Sequence, residues 1–141
     1  AQLEKLPDFI DKRRENFSPL YNGLKDLSEF IILPQTTPDS EPSWFGFIIT
    51  LKNNIKFNRN DIVQYLESHG IQTRNLFAGN MVRQPAFDTL IKDVDYRVIG
   101  DLSVTDKVMN DSFWIGLYPG LSPIAIQFMV KTIREFIHKY G

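Results

Sequence analysis

The chain has 141 residues, one domain's worth, enough to bury roughly two thirds of the surface its unfolded form exposes. Its 16 basic and 17 acidic residues leave a net charge of -1, which removes the bulk electrostatics of a nucleic-acid or membrane-surface binder. It has no cysteine, so it holds no disulfide framework, thiolate metal site or cysteine nucleophile.

No apolar run reaches the roughly 18 residues of a membrane span, and no signal-peptide pattern opens the chain, so a cytoplasmic protein is the default expectation. Ala1 to Leu6 enters an apolar repeat at once, without a starting methionine or an N-cap residue, which reads as a piece of something longer. Leu3, Leu6, Ile10, Phe17, Leu20, Leu24 and Leu27 recur at steps of three, four and seven, which predicts a long helix. Pro7 suits its first turn, while Pro19 and Gly23 weaken it later. Arg13 takes a stripe position and is expected to snorkel. Lys12, Arg13 and Arg14 sit among Asp8, Asp11 and Glu15, a solvated face with compensating charges.

Phe30 to Leu33, stopped by Pro34, reads as a strand, and a polar loop with Pro38 and Pro42 follows. Trp44 to Leu51 is aromatic and β-branched, which predicts a central strand covered on both faces. Asn58 or Asn60 caps a helix over Asp61–His69 that ends at Gly70. Ile71 to Phe77 reads as a strand, and Asn80 to Phe87 as an irregular turn or short helix broken by Pro85. Leu90 to Val104 reads mostly as loop. Phe113 to Tyr118 is a further strand, and a helix starts at Pro123 with Ile126, Met129, Val130, Ile133 and Ile137 inward. Residues 1–141 thus read as a single domain of the α/β (α+β) class, a two-layer sandwich whose small, mostly antiparallel sheet is packed by helices.

The stretch from Gly70 to Phe87 is hardest to explain as packing. It places Arg74, Arg83, Asn75, Asn80, Gln72 and Gln84 among glycine and proline breaks. Guanidinium forks suit phosphate and carboxylate, and amides suit hydroxyls, so the segment is a candidate anion or sugar site. Catalytic signatures are missing: there is no phosphate-binding glycine loop, no GxSxG elbow and no HExxH. His69 at a helix end reads as a favourable cap, His138 lies near the chain end, and the scattered carboxylates give no two-carboxylate site.

Taken in order, "AQLEKL", "RRENF", "SWFGFIITL", "SHGIQTRNLFAGNMVRQPAF", "YRVIGDLSVTDKVMNDSFWIGLYPGL" and a closing helix resemble the C-terminal small domain of DegT/StrS-type sugar aminotransferases and dehydratases. These are fold-type I enzymes that use pyridoxal or pyridoxamine phosphate (PLP or PMP). The resemblance leans to the nucleotide-sugar 3-dehydratase branch, of the CDP-4-keto-6-deoxy-D-glucose-3-dehydratase type, in lipopolysaccharide and deoxysugar biosynthesis. Phe45 stands where the aminotransferases carry histidine, and Leu76 to Pro85 replaces their histidine-containing "HYP..LH.QP" segment. Both differences remove imidazole, and with it titration near neutral pH.

The resemblance implies that PMP or PLP is held mainly by a missing N-terminal large domain, which supplies the catalytic groups. None of the catalytic residues is expected here. In the CDP-sugar branch a reductase delivers electrons through an iron–sulfur cluster, so a [2Fe-2S] cluster in the parent enzyme is an expectation too, as is a homodimeric parent. The small domain would close the active site and help bind the nucleotide sugar. Arg74 and Arg83 are then candidates for the diphosphate or for carboxylates of the large domain. Asn80 would bond a sugar or cytidine hydroxyl, or close the Gly79-Asn80 turn. Phe45, near the cofactor, and Phe77 would form an apolar wall or ordinary core, with Tyr118 beneath it. The alternatives are the small domain of a PLP-dependent aminotransferase and a non-catalytic sugar- or partner-binding module using Trp44, Trp114 and Tyr118.

Overall fold

The computed structural model describes residues 2–141, so Ala1, the first residue of the opening repeat, lies outside them. The long apolar stripe divides into a 3₁₀ turn at Leu3–Lys5, helix α1 at Leu6–Leu24 and a second 3₁₀ turn at Lys25–Leu27. Pro7 lies in the first turn of α1, where its missing N–H has no intrahelical bond to lose. Pro19 lies inside the helix and leaves the carbonyl of Glu15 without its usual donor. Only the second half of α1 is core: Leu20 and Leu24 are fully buried, whereas Leu3, Leu6 and Phe9 are exposed. Arg13 is half-buried, and its Nε has no partner among the described residues.

Four strands follow the expected segments but are shorter: β1 at Ile31–Ile32, β2 at Gly46–Leu51, β3 at Thr73–Asn75 and β4 at Ser112–Gly116. They form one sheet in the order β1-β2-β4-β3, with every pair antiparallel. Helix α2 spans Arg59–Ser68. Its N-cap is Asn58, whose side chain accepts from the N–H groups of Asn60 and Asp61 while Asp61 reaches back to the N–H of Asn58. That reciprocal box satisfies orphan donors of the first turn. Gly70, at φ +77°, takes the left-handed step that ends α2. Helix α4 spans Pro123–Tyr140 and starts at Ser122, whose hydroxyl accepts from the N–H of Ala125.

The sequence reading falls short in two places. Leu90 to Val104 is indeed mostly loop, but it runs into a helix the sequence does not announce, α3 at Ser103–Asp111. The start of α3 carries no ordinary signal: Leu102 at the cap position is left-handed, with φ 57°, and Asp101 instead accepts from the N–H of Ser103. The second failure concerns β2, which is covered on one face only. Its register with β4 and β3 puts Phe47, Ile115 and Thr73 in one row and Ile48, Trp114 and Arg74 in the next. Side chains alternate along a strand, so the two rows face opposite ways. The first row is buried beneath the helices, while Ile48 remains 37 % exposed.

The core therefore lies in one layer between the sheet and helices α1, α2 and α4. Phe47, Ile49, Phe113 and Ile115 from the sheet meet Leu20, Leu24, Ile62, Leu66, Ile126 and Ile133 from the helices. Each such side chain contributes about 1.5–3 kcal/mol on burial. Helix α3 sits at the end of the sheet instead: Lys107 Nζ donates to the Leu51 carbonyl at 2.9 Å, and Arg59 donates to the Met109 carbonyl at 2.7 Å. One broad face of the sheet is left open along Ile48, Trp114 and Arg74.

Candidate functional site

The open face has a floor of two glycines. Gly46 and Gly116 are cross-strand partners on β2 and β4, and the ring of Trp114 lies over Gly46 so closely that a methyl group there would meet its Cε3 at 2.8 Å. Trp114 is the centre of the face. On one side Phe45, 58 % exposed, sets its ring edge against the indole with centroids 5.3 Å apart. On the other side Arg74 is its register partner on the edge strand β3. Phe45 and Arg74, candidates from distant parts of the sequence, thus flank one aromatic ring.

Arg74 also borders a cleft of about 450 Å³ lined by Gln72, Trp114, Tyr118, Leu121 and Phe128. The side chain of Arg74 donates one bond, from Nη1 to the Thr73 carbonyl at 2.8 Å. With five N–H donors in a guanidinium, the rest of the fork has no hydrogen-bond partner among the described residues and can meet an anion. Tyr118 is more than half exposed at the mouth of this cleft. Its main-chain carbonyl accepts from Asn16 Nδ2 at 2.9 Å, which ties the cleft rim to α1. The anchor of β3 beneath Arg74 is the Thr73 hydroxyl, buried and donating to Glu67 of α2 at 2.6 Å.

Phe77, Asn80 and Arg83 form a second group on the loop between β3 and α3. Phe77 is 82 % exposed and sits at φ 43°, a left-handed value that costs a bulky residue about 1–3 kcal/mol. Asn80 is 2 % exposed; it caps a 3₁₀ turn at Met81–Arg83 by accepting from the N–H of Val82 and donates from Nδ2 to Asp106 at 2.7 Å. Arg83 donates to both oxygens of the same carboxylate, at 3.3 and 3.1 Å. The Arg83 fork and then the Asn80 amide hold the Asp106 carboxyl below its ordinary range, and Asp106 in turn raises Arg83. Sequence reasoning misses Asp106 altogether and reaches Trp114 only as an aromatic of a stand-alone binding module. The partners of Asp106 lie 23 and 26 residues away, so no local spacing announces it. The signal for Trp114 is the alternation that turns its neighbours Phe113 and Ile115 inward.

The cleft lining contains no lysine, histidine, aspartate or glutamate. It offers a PLP- or PMP-type ring an aromatic wall and a cation, but neither an amine to anchor it nor a carboxylate for its ring nitrogen. The fit is to one side of a pocket. Among the described residues no group of three or more histidines and carboxylates is placed to hold a metal ion, and no helix is long and apolar enough to cross a membrane. His69 caps α2, with Nδ1 2.7 Å from the Tyr65 carbonyl.

The family model described as the DegT/DnrJ/EryC1/StrS aminotransferase family matches residues 1–134. The lipopolysaccharide biosynthesis protein RfbH of Salmonella typhimurium is 48 % identical over 136 residues, which cover 96 % of this chain and 30 % of that protein. The dTDP-4-dehydro-2,6-dideoxy-D-glucose 3-dehydratase of Saccharopolyspora spinosa is 42 % identical over 139 residues, covering 99 % of this chain and 29 % of that enzyme. Among solved structures, the E. coli GDP-4-keto-6-deoxy-D-mannose-3-dehydratase with bound hydrated PLP superposes with a TM-score of 0.81 at 26 % identity, covering 94 % of this chain and 32 % of that one. The chain spans about a third of the length of the proteins it matches.

Proposed function

Because the chain belongs to the DegT/DnrJ/EryC1/StrS aminotransferase family, we propose that it serves as the small domain of a cytoplasmic, PMP- or PLP-dependent nucleotide-sugar 3-dehydratase in deoxysugar and lipopolysaccharide biosynthesis. Its place is over the substrate, with the open sheet face turned toward the ligand. The observation that carries this reading is the group formed by Arg74, Trp114 and Phe45: a guanidinium with spare donors beside a half-open aromatic wall. A nucleoside diphosphate sugar has a matching pair of features, an anionic diphosphate and rings that stack on apolar surface. The relatives described as 3-dehydratases of nucleotide sugars support the choice of substrate class.

The cofactor, when bound, supplies the electron sink for removing the C3 hydroxyl. This chain's own residues do other work. Arg74 binds the anionic part of the substrate, Phe45 and Trp114 exclude water from one side of the ring system, and Tyr118 closes the cleft mouth. Phe45 brings no imidazole to that wall, so the wall neither gives nor takes a proton near neutral pH. Catalytic groups and the cofactor's anchoring side chains belong to a large domain, in a parent enzyme that works as a homodimer. With no cysteine in the chain, a [2Fe-2S] cluster would take its ligands from outside these residues, and a reductase would engage the parent there.

Replacing Arg74 by alanine in the native enzyme tests the reading. Loss of a charge-assisted hydrogen bond costs about 1.5–3 kcal/mol, so KM for the nucleotide sugar rises about tenfold or more. An unchanged KM with an unchanged kcat removes Arg74 from the substrate site and overturns the assignment of this face.

A further inference from the structure

Phe77 is held in a conformation that local packing does not explain. Its backbone is left-handed and its ring is in solvent, a combination that costs energy and persists only where the surrounding structure holds it. The loop is nevertheless tied down. The Phe77 N–H donates to the Asn75 carbonyl at 2.9 Å and the Gly79 N–H to the Leu76 carbonyl at 3.1 Å. Gly79, also left-handed, lies so near Met109 of α3 that no side chain fits between them. The Gln84 amide donates to the Ala78 carbonyl.

Among the described residues, the long-range side-chain hydrogen bonds of this loop converge on one carboxylate. Asp106 accepts the Asn80 amide and both arms of Arg83. The Arg83 pair alone would count for little, since exposed ion pairs are worth about 0–1 kcal/mol. Asn80 changes the balance: it is buried, and removing its acceptor leaves a desolvated amide without a partner.

We propose that Asp106 is a positioning residue for nucleotide-sugar binding, which locks Asn80 and Arg83 to α3 and so holds the 76–83 loop in the form that presents Phe77 to the ligand. The inference rests on the reading above and extends it from Arg74 on β3 to the loop that directly follows that strand. Asp106 touches no substrate; it acts through the loop. Releasing it lets Phe77 return to ordinary backbone angles, so that binding must first reorder the loop, and the effect falls on KM rather than on kcat at saturation.

The test compares Asp106→Ala and the near-isosteric Asp106→Asn with Phe77→Ala in the native enzyme, by steady-state kinetics with the nucleotide sugar and by amide hydrogen exchange without it. Asp106→Ala is expected to raise KM about tenfold with kcat within about twofold. It should also speed exchange at Gly79, Val82 and Arg83 about tenfold or more, leaving Ile49 and Phe113 in the sheet unchanged. Asp106→Asn, which keeps an acceptor for Asn80 but loses the charge facing Arg83, is expected to shift the same quantities by less. If Phe77→Ala raises KM while neither Asp106 variant does, the inference is overturned and the functional reading stands. If Phe77→Ala leaves KM unchanged while Arg74→Ala raises it, the inference is overturned and the functional reading stands; if Arg74→Ala leaves both KM and kcat unchanged, the reading falls and the inference falls with it.

Discussion

Gly46 and Gly116 face each other across β2 and β4, yet a methyl group added to each should have opposite consequences. At Gly46 the new carbon would sit 2.8 Å from Trp114 Cε3 and 3.3 Å from Cδ2. Carbon atoms pack at about 3.5–4.0 Å, so the indole must retreat by roughly 0.7 Å or rotate off the face. Overpacking of this kind costs about 1–3 kcal/mol, against about 0.4–1 kcal/mol recovered because alanine has fewer unfolded conformations than glycine. The net expectation for Gly46→Ala is a loss of about 1–2 kcal/mol. At Gly116 nothing lies within 4 Å of the added carbon and the backbone is ordinary strand, so Gly116→Ala should be neutral or stabilising by up to about 1 kcal/mol. Equilibrium urea titration of both variants reads the difference as a separation of midpoints at unchanged slope. Gly46→Ala should also weaken nucleotide-sugar binding, because the displaced indole loses its contact with Phe45 and its place beside Arg74. Coincident midpoints for the two variants would refute the claim that Trp114 is seated against Gly46.

Two further predictions concern stability. Asn58→Ala removes the capping box of α2 and should cost about 1 kcal/mol, seen as a lower urea midpoint; a variant within error of the parent would show that the cap bonds contribute nothing. Asp26 is held below its ordinary carboxyl value of 3.8, chiefly by the Arg134 fork, whose two nitrogens lie 2.7 and 2.9 Å from its oxygens. Because the folded value is the depressed one, this pair contributes stability that is present above the ordinary carboxyl range and is lost as pH falls through the folded value. Asp26→Asn should therefore flatten stability against pH below about 4 and leave its slope unchanged near neutrality. An unaltered acid limb in thermal melts at stepped pH would contradict that assignment.

What the sequence discloses depends on how local the cause is. Helices α2 and α4 are legible because Asn58 and Ser122 announce their starts and the apolar steps mark their inner faces. Helix α3 is not: a left-handed Leu102 stands where a capping side chain is expected, and the β-branched Val104, Thr105 and Val108 weaken the helical signal within its nine residues. Strand β2 lies where its composition places it, but Phe45 and Ile48 are apolar without being covered, so composition suggests two buried faces. An uncovered apolar face is what a surface made to meet something else looks like. Arg74 stands out among its glycine-flanked neighbours. Its relation to Trp114 and Phe45 is a product of strand order, in which β4 inserts between β2 and β3, and the grip of Asp106 on Asn80 and Arg83 exists only after α3 has packed.

The central claim is that the open sheet face, with the cleft at its β3 edge that the first turns of α4 help to line, is the side that meets the nucleotide sugar. Hydroxyl-radical footprinting of the native enzyme, with and without a nucleoside diphosphate sugar, tests this through aromatic side chains already present. Phe45, Trp114 and Tyr118 should become protected on addition of the ligand, while Tyr140 on the last turn of α4 should react at an unchanged rate. Unaltered rates at Phe45 and Trp114 under saturating ligand would contradict the account.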